Sequence, residues 1–113
     1  MQTSAATVLD ALGEPMRRII LEHLAPGPLP VGRLAERLPI SRPAVSQHLR
    51  ILKHAELVEE TIAGTRHLYR INRSGLELVR DYLDRFWSTT LTNFAELAAA
   101  DAAASTNPEE NQP

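Results

Sequence analysis

Cysteine is absent from this 113-residue chain. Without thiols there is no disulfide framework, no thiolate metal site and no thiol redox switch. Long apolar runs are missing too: no stretch reaches the ~18 residues of a membrane-spanning helix. The first residues, MQTSAATVLDALGEPMRR, lack the basic start and continuous apolar segment of a secretory leader. No phosphate-cradling glycine loop, His-Glu-x-x-His pair or Cys-x-x-Cys pair occurs. Ser46 has no Asp–His arrangement nearby to activate it as a nucleophile. These absences predict a cytoplasmic protein that is not an enzyme and carries no cofactor. At this length a single domain with a modest core is expected, a size often helped by oligomerisation.

An overall excess of positive charge is also lacking, with 12 Lys and Arg against 14 Asp and Glu. The charges are nevertheless sorted along the chain. Residues 33 to 73 carry eight basic side chains and four acidic ones, a net +4, which leaves −6 for the remainder. A basic middle between acidic flanks predicts a centre that faces a polyanion and ends that face solvent or a partner. The field that matters is local, because salt screens exposed charges over ~8 Å.

Hydrophobic spacing divides the chain into short elements. Residues 3 to 12 read as a helix with Val8, Leu9 and Leu12 on one face, ended by Gly13. Pro15, well suited to a first helical turn, opens a second helix that runs to Leu24, and PGPLP (26 to 30) stops it. Residues 31 to 38 form a third helix, with Val31, Leu34, Ala35 and Leu38 at helical spacing. Ser41 caps a fourth that runs to His54. In that helix Val45, Leu49 and Leu52 point inward, while Pro43, Ser46, Gln47, Arg50 and His54 fall on the other side. The period then changes. VEETI (58 to 62) and HLYRI (67 to 71) alternate as strands around a Gly64 turn, making a hairpin with a basic tip. Residues 74 to 98 read as a long last helix with Leu76, Val79, Leu83, Phe86, Trp87, Leu91, Phe94 and Leu97 along a broad apolar stripe. From about residue 100 the chain is small and acidic without apolar period, so a domain of residues 1–99 and a disordered tail of 100–113 are expected.

The predicted fold is mainly α with a β-hairpin wing, in the order four helices, two strands, one helix. Two short helices joined by a tight turn, the second polar-faced, followed by a hairpin, make a winged helix-turn-helix. A helix fits the major groove, where arginine bonds guanine, glutamine bonds adenine and serine bonds either a base or a phosphate. Phosphate contacts supply affinity and base contacts supply choice. The candidate DNA-binding residues are Ser41, Arg42, Pro43, Ser46, Gln47, Arg50 and Lys53 on the fourth helix, with Arg66 and Arg70 on the wing. Lys53 can contact a phosphate or simply complement the helix dipole.

LDALGEPMRRIILEHLA (9 to 25), VGRLAERLPISRPAVSQHLRILKHAELV (31 to 58) and GTRHLYRI (64 to 71) resemble the ArsR-type winged-helix transcriptional regulators. The likeness covers about residues 5 to 97 and rests on Pro-x-Arg-Arg, Ser-x-x-x-x-Ser-x-His-Leu and Gly-x-x-x-x-Tyr-Arg in order. It implies a homodimeric DNA-binding repressor, with residues 41 to 54 as recognition helix and the first and last helices as dimer interface. On this chain that interface would be Val8, Leu9 and Leu12 with Leu83, Phe86, Trp87, Leu91 and Phe94. The last helix supports a dimer independently. Twenty-five helical residues span roughly 37 Å, more than a globule with a ~13 Å radius of gyration covers. Trp87 in this register belongs to an interface rather than to a ligand-stacking platform. A two-fold dimer predicts a palindromic operator with half-sites ~34–36 Å apart.

Departures from the family pattern carry information as well. Metal-sensing members hold cysteine ligands in the third helix, where this chain reads RLAERLPI, or Asp and His ligands on the last helix, which has no histidine here. Both metal sites are therefore missing, and FWSTTLTNFAELAA resembles a non-metal-sensing subgroup. Glu56 stands where the family has glycine, which tightens or strains that turn. His23, His54 and His67 lie on separate elements and give no convergent ligand set. His48, beside Leu49, reads as a packing residue first and a DNA contact second. Arg17 and Arg18 follow the family pattern, and one of them is expected to pair with an acidic neighbour. The regulatory signal is left open between a small apolar effector at the dimer interface, a partner, and abundance alone. The rival to DNA binding is a winged-helix protein-interaction module, since a fold by itself never fixes function. Arginine, serine and glutamine on the groove face beside a basic wing favour DNA.

Overall fold

The computed structural model describes residues 3–105. In chain order the elements are α1 (Ala5–Leu12), α2 (Pro15–Leu24), β1 (Leu29–Pro30), α3 (Val31–Glu36), α4 (Arg42–His54), β2 (Val58–Ala63), β3 (Arg66–Ile71) and α5 (Arg73–Ser105). They divide into two compact units, one ending at Arg80 and one beginning at Asp81.

In the first unit, helix starts are set by side chains that accept the otherwise orphaned first-turn amides. Ser4 Oγ accepts from Thr7 N at 3.2 Å, Glu14 Oε2 from Arg17 N at 3.1 Å and Ser41 Oγ from Ala44 N at 3.3 Å. Arg17 and Arg18 differ from expectation: neither pairs with an acidic side chain among the described residues. Arg17 Nε donates to Ala11 O and Arg18 Nη1 donates to Leu12 O, each at 2.6 Å. Two guanidinium groups thus satisfy the last carbonyls of α1, where its dipole is negative.

The core is formed by the inward faces of the first four helices and the start of the hairpin. Ile20, Leu24, Leu34, Val45, Leu49, Leu52, Leu57 and Val58 are all fully buried. Burying an aliphatic side chain of this size stabilises the fold by roughly 1.5–3 kcal/mol. Val8, expected at a dimer interface, is a correction: it is 0% exposed inside this core. Leu12 also packs against the core, which leaves Leu9 as the outward apolar residue of α1. One stripe on a two-turn helix cannot serve both a core and a partner, and packing within the chain takes Val8.

Helix α4 ends in a left-handed turn. Glu56 has φ +57°, Glu56 N donates to Lys53 O at 3.0 Å, and Leu57 N donates to Leu52 O at 2.9 Å. That pair of bonds is the Schellman arrangement, and Leu52 and Leu57 are both buried in the core. The turn docks on the start of α5: Gly75 N donates to Glu56 O at 2.8 Å and Asn72 N to Leu57 O at 2.9 Å. A Cβ on Gly75 would lie 2.6 Å from Ala55 O and 2.7 Å from Glu56 O, so only glycine fits there.

The hairpin turns through Gly64, at φ +66°, and Thr65, and its register pairs Glu59 with Arg70 and Glu60 with Tyr69. The sheet also has a strand absent from the sequence reading. Leu29 and Pro30 pair with Tyr69 and Leu68, giving the order β1-β3-β2. Proline is tolerated there because β1 is an edge strand.

In the second unit the helix runs to Ser105, not to residue 98 as expected. The segment ELAAADAAAS lacks an apolar period, but alanine is the strongest helix former. The part of the expected tail from residue 106 onward lies outside the described residues. Every described side chain from Asp81 to Ala104 is exposed. Leu83, Phe86, Trp87, Leu91, Phe94 and Leu97 are among them, with Trp87 54% and Phe94 69% exposed. The rings of Phe86 and Trp87 meet edge to face, centroids 5.6 Å apart.

Candidate nucleic-acid interface

Helix α4 has two distinct faces. Val45, Leu49 and Leu52 are buried, whereas Ser41, Arg42, Pro43, Ser46, Gln47, Arg50 and Lys53 are all exposed. Pro43 at the first turn removes no hydrogen bond and presets the backbone. Ser41 Oγ is committed to its cap, which limits what else it can accept. His48 is half-buried, its Nδ1 3.5 Å from Arg17 Nη1 and 3.9 Å from Glu14 Oε2. It faces α2 and not the groove side, as its packing reading requires.

On the wing, Arg66 and Arg70 are both exposed but differ in circumstance. Arg70 Nε donates to Glu59 Oε1 at 2.5 Å, directly across the two strands. Among the described residues, Arg42, Arg50 and Arg66 have no hydrogen-bond or ion-pair partner. Arg42 and Arg66 border one cavity of about 440 Å³, together with Gly32, Thr65 and His67. Ser46, Arg50 and Lys53 border a second of about 220 Å³. Recognition helix and wing therefore bring unpaired guanidinium groups to adjoining clefts. An arginine without an internal carboxylate is free to make the bidentate, charge-assisted bonds that phosphates and guanine edges accept.

One cluster was missed in the sequence. Glu60 Oε1 accepts from Lys53 Nζ at 3.1 Å, while Oε2 accepts from Tyr69 OH at 3.0 Å and lies 2.7 Å from His67 Nδ1. The His67 bond, then the Lys53 bond, hold the Glu60 carboxyl below the ordinary carboxylate range. Burial, reinforced by the bond to this carboxylate, raises the Tyr69 phenol. A two-residue turn at Gly64 and Thr65 already sets Glu60 opposite Tyr69 and Glu59 opposite Arg70. Hairpin register was thus the available signal for both pairs; nothing in the sequence placed Lys53 beside them. Among the described residues no three His, Asp or Glu side chains converge as a metal site, and no helix is long and apolar enough to cross a membrane.

Residues 12–61 match the family described as a helix-turn-helix domain. The HTH-type transcriptional regulator Rv2034 of Mycobacterium tuberculosis is 55% identical, over 78% of this chain and 82% of its own length. The transcriptional repressor SdpR of Bacillus subtilis is 39% identical, over 62% of this chain and 78% of its own. Among solved structures, an ArsR-like transcriptional regulator from Rhodococcus sp. RHA1 superposes with a TM-score of 0.77 at 30% identity, covering 85% of this chain and 91% of that one. With its capped, arginine-bearing helix, its hairpin wing and these likenesses, the chain belongs to the ArsR-type winged helix-turn-helix family of DNA-binding transcriptional regulators.

Proposed function

We propose that this chain is a cytoplasmic, homodimeric repressor that reads a palindromic operator and catalyses no reaction. Gln47 and Arg50 read base edges from α4, Arg42 and Ser46 contact bases or phosphates, and Arg66 grips the flanking backbone. Arg70, Ser41 and Pro43 support the same surface. Lys53, grouped with them in the sequence, has its ammonium on Glu60 instead. The carrying observation is that three unpaired guanidinium groups meet at two clefts between recognition helix and wing.

The dimer is supported by Leu83, Phe86, Trp87, Leu91 and Phe94, which recur at three- and four-residue spacing on α5 and are exposed. An apolar strip of this kind on a soluble chain marks an association surface. A two-fold dimer that reads a palindromic operator needs its two recognition helices about one DNA turn, ~34–36 Å, apart. Leu9, the α1 member of the expected interface, is exposed. Repression itself is supported by the likeness to SdpR, a transcriptional repressor.

Fluorescence anisotropy against duplexes from the chain's own promoter tests the reading. Specific binding should be lost in the Gln47→Ala, Arg50→Ala double variant, since each good bidentate base contact is worth about 1–3 kcal/mol. Specific binding that survives the pair would remove α4 as the reading face. Sedimentation equilibrium should report a dimer that Trp87→Asp splits into monomers; a wild-type monomer would refute the two-fold operator.

A further inference from the structure

Glu60 is an acidic residue at the centre of a cationic surface. It is only 22% exposed, whereas Lys53 is 56% exposed. It sits opposite Tyr69 in the hairpin, so both side chains leave the sheet on one face. Three donors from two elements converge on its two oxygens: Lys53 from α4, and His67 and Tyr69 from β3. Glu60 and Tyr69 also line both clefts, the one bordered by Arg42 and Arg66 and the one bordered by Ser46 and Arg50. The carboxylate therefore stands at the corner where recognition helix and wing meet.

We propose that Glu60 is a positioning residue that ties the wing to α4 and withholds Lys53 from the DNA backbone. This deepens the DNA-binding reading and rests on it. A lysine ammonium is a point charge on a flexible stem and accepts any phosphate. Phosphate contacts raise affinity for every sequence alike and carry no base information. Pairing Lys53 internally removes one such contact and leaves affinity to arginines whose placement is fixed. The same carboxylate holds β3 against α4, so wing and recognition helix meet the duplex as one preorganised surface.

The test uses the full chain, a duplex enriched by the wild-type chain from a random pool, and a shuffled duplex of equal length. Binding is measured across a salt series. Lys53→Gln should leave the log–log salt slope unchanged. Glu60→Gln should free Lys53 and steepen the slope by about 0.9 on both duplexes. One extra phosphate contact tightens the shuffled duplex roughly five- to tenfold at 0.1 M salt, narrowing the preference for the enriched one. Adding Lys53→Gln to Glu60→Gln should restore the wild-type slope. A shallower slope for Lys53→Gln alone, or an unchanged slope for Glu60→Gln, overturns the withholding of Lys53. Hydrogen exchange on the free protein tests the tether without DNA: Glu60→Gln should speed exchange in β3 and leave α4 unaffected, and equal rates in β3 overturn it. A wild-type chain that enriches no duplex sinks the DNA reading and the Lys53 clause together, and the exchange result still decides the tether.

Discussion

Replacing Glu56 by glycine isolates the backbone strain that ends the recognition helix. Glu56 is the one non-glycine residue with positive φ among those described. An L-residue pays roughly 1–2 kcal/mol for that region, because its Cβ crowds the following carbonyl. Glycine escapes this penalty but loses more freedom on folding, by roughly 0.5–1 kcal/mol. Among the described residues the Glu56 side chain has no hydrogen bond or ion pair to forfeit, while the Schellman bonds to Lys53 O and Leu52 O are backbone and survive. At the middle of these ranges Glu56→Gly should therefore stabilise the protein by about 0.75 kcal/mol. In urea, with m of roughly 1–3 kcal/mol/M, the midpoint should rise by about 0.2–1 M at unchanged m. Protein concentration must be held fixed, because the stability of the proposed dimer would depend on it. Glu56→Ala keeps the strain and should stay within about 0.5 kcal/mol of wild type. A Glu56→Gly midpoint at or below that of wild type would refute the account.

Gly75→Ala should do the opposite. Its Cβ would meet two backbone carbonyls that cannot swing aside, and forcing such overpacking costs about 1–3 kcal/mol, read as a lower Tm. Arg66→Gln should flatten the salt slope of DNA binding by about 0.9, whereas Arg70→Gln, whose guanidinium is held by Glu59, should change it less. Equal slopes for the two variants would show that the Glu59 pair opens freely on DNA. The lowered pKa of Glu60 sets a pH dependence. A depressed carboxylate adds stability above its unfolded value and loses it as pH falls through the folded one. The stability gap between wild type and Glu60→Gln should therefore be full at neutral pH and close below the ordinary value of 4.5. A gap that persists unchanged in urea melts down to pH 3 would count against the bonds to the Glu60 carboxylate.

Much of this protein is set locally. The 3.6-residue period separated Val45, Leu49 and Leu52 from Ser46, Gln47 and Arg50, because a helix's geometry depends on spacing alone. The cap at Ser41, the first-turn proline at Pro15, the break at PGPLP and the turn at Gly64 act within a few residues, so they too are legible in the chain. The cross-strand partners Glu59–Arg70 and Glu60–Tyr69 follow from that turn. Other features arise only when distant segments pack. Whether Val8 faces its own core or a partner depends on how α1 docks, and β1 exists only because β3 lies beside Leu29 and Pro30. Gly75 is required because the turn at Glu56 presses on its Cα, which spacing cannot reveal. Lys53 looks like a phosphate contact on a helical wheel, yet the hairpin folds back to set a carboxylate 3.1 Å from its ammonium. Spacing determines which side chains share a face; the packing of one element on another decides which of their charges lie beside an opposite one.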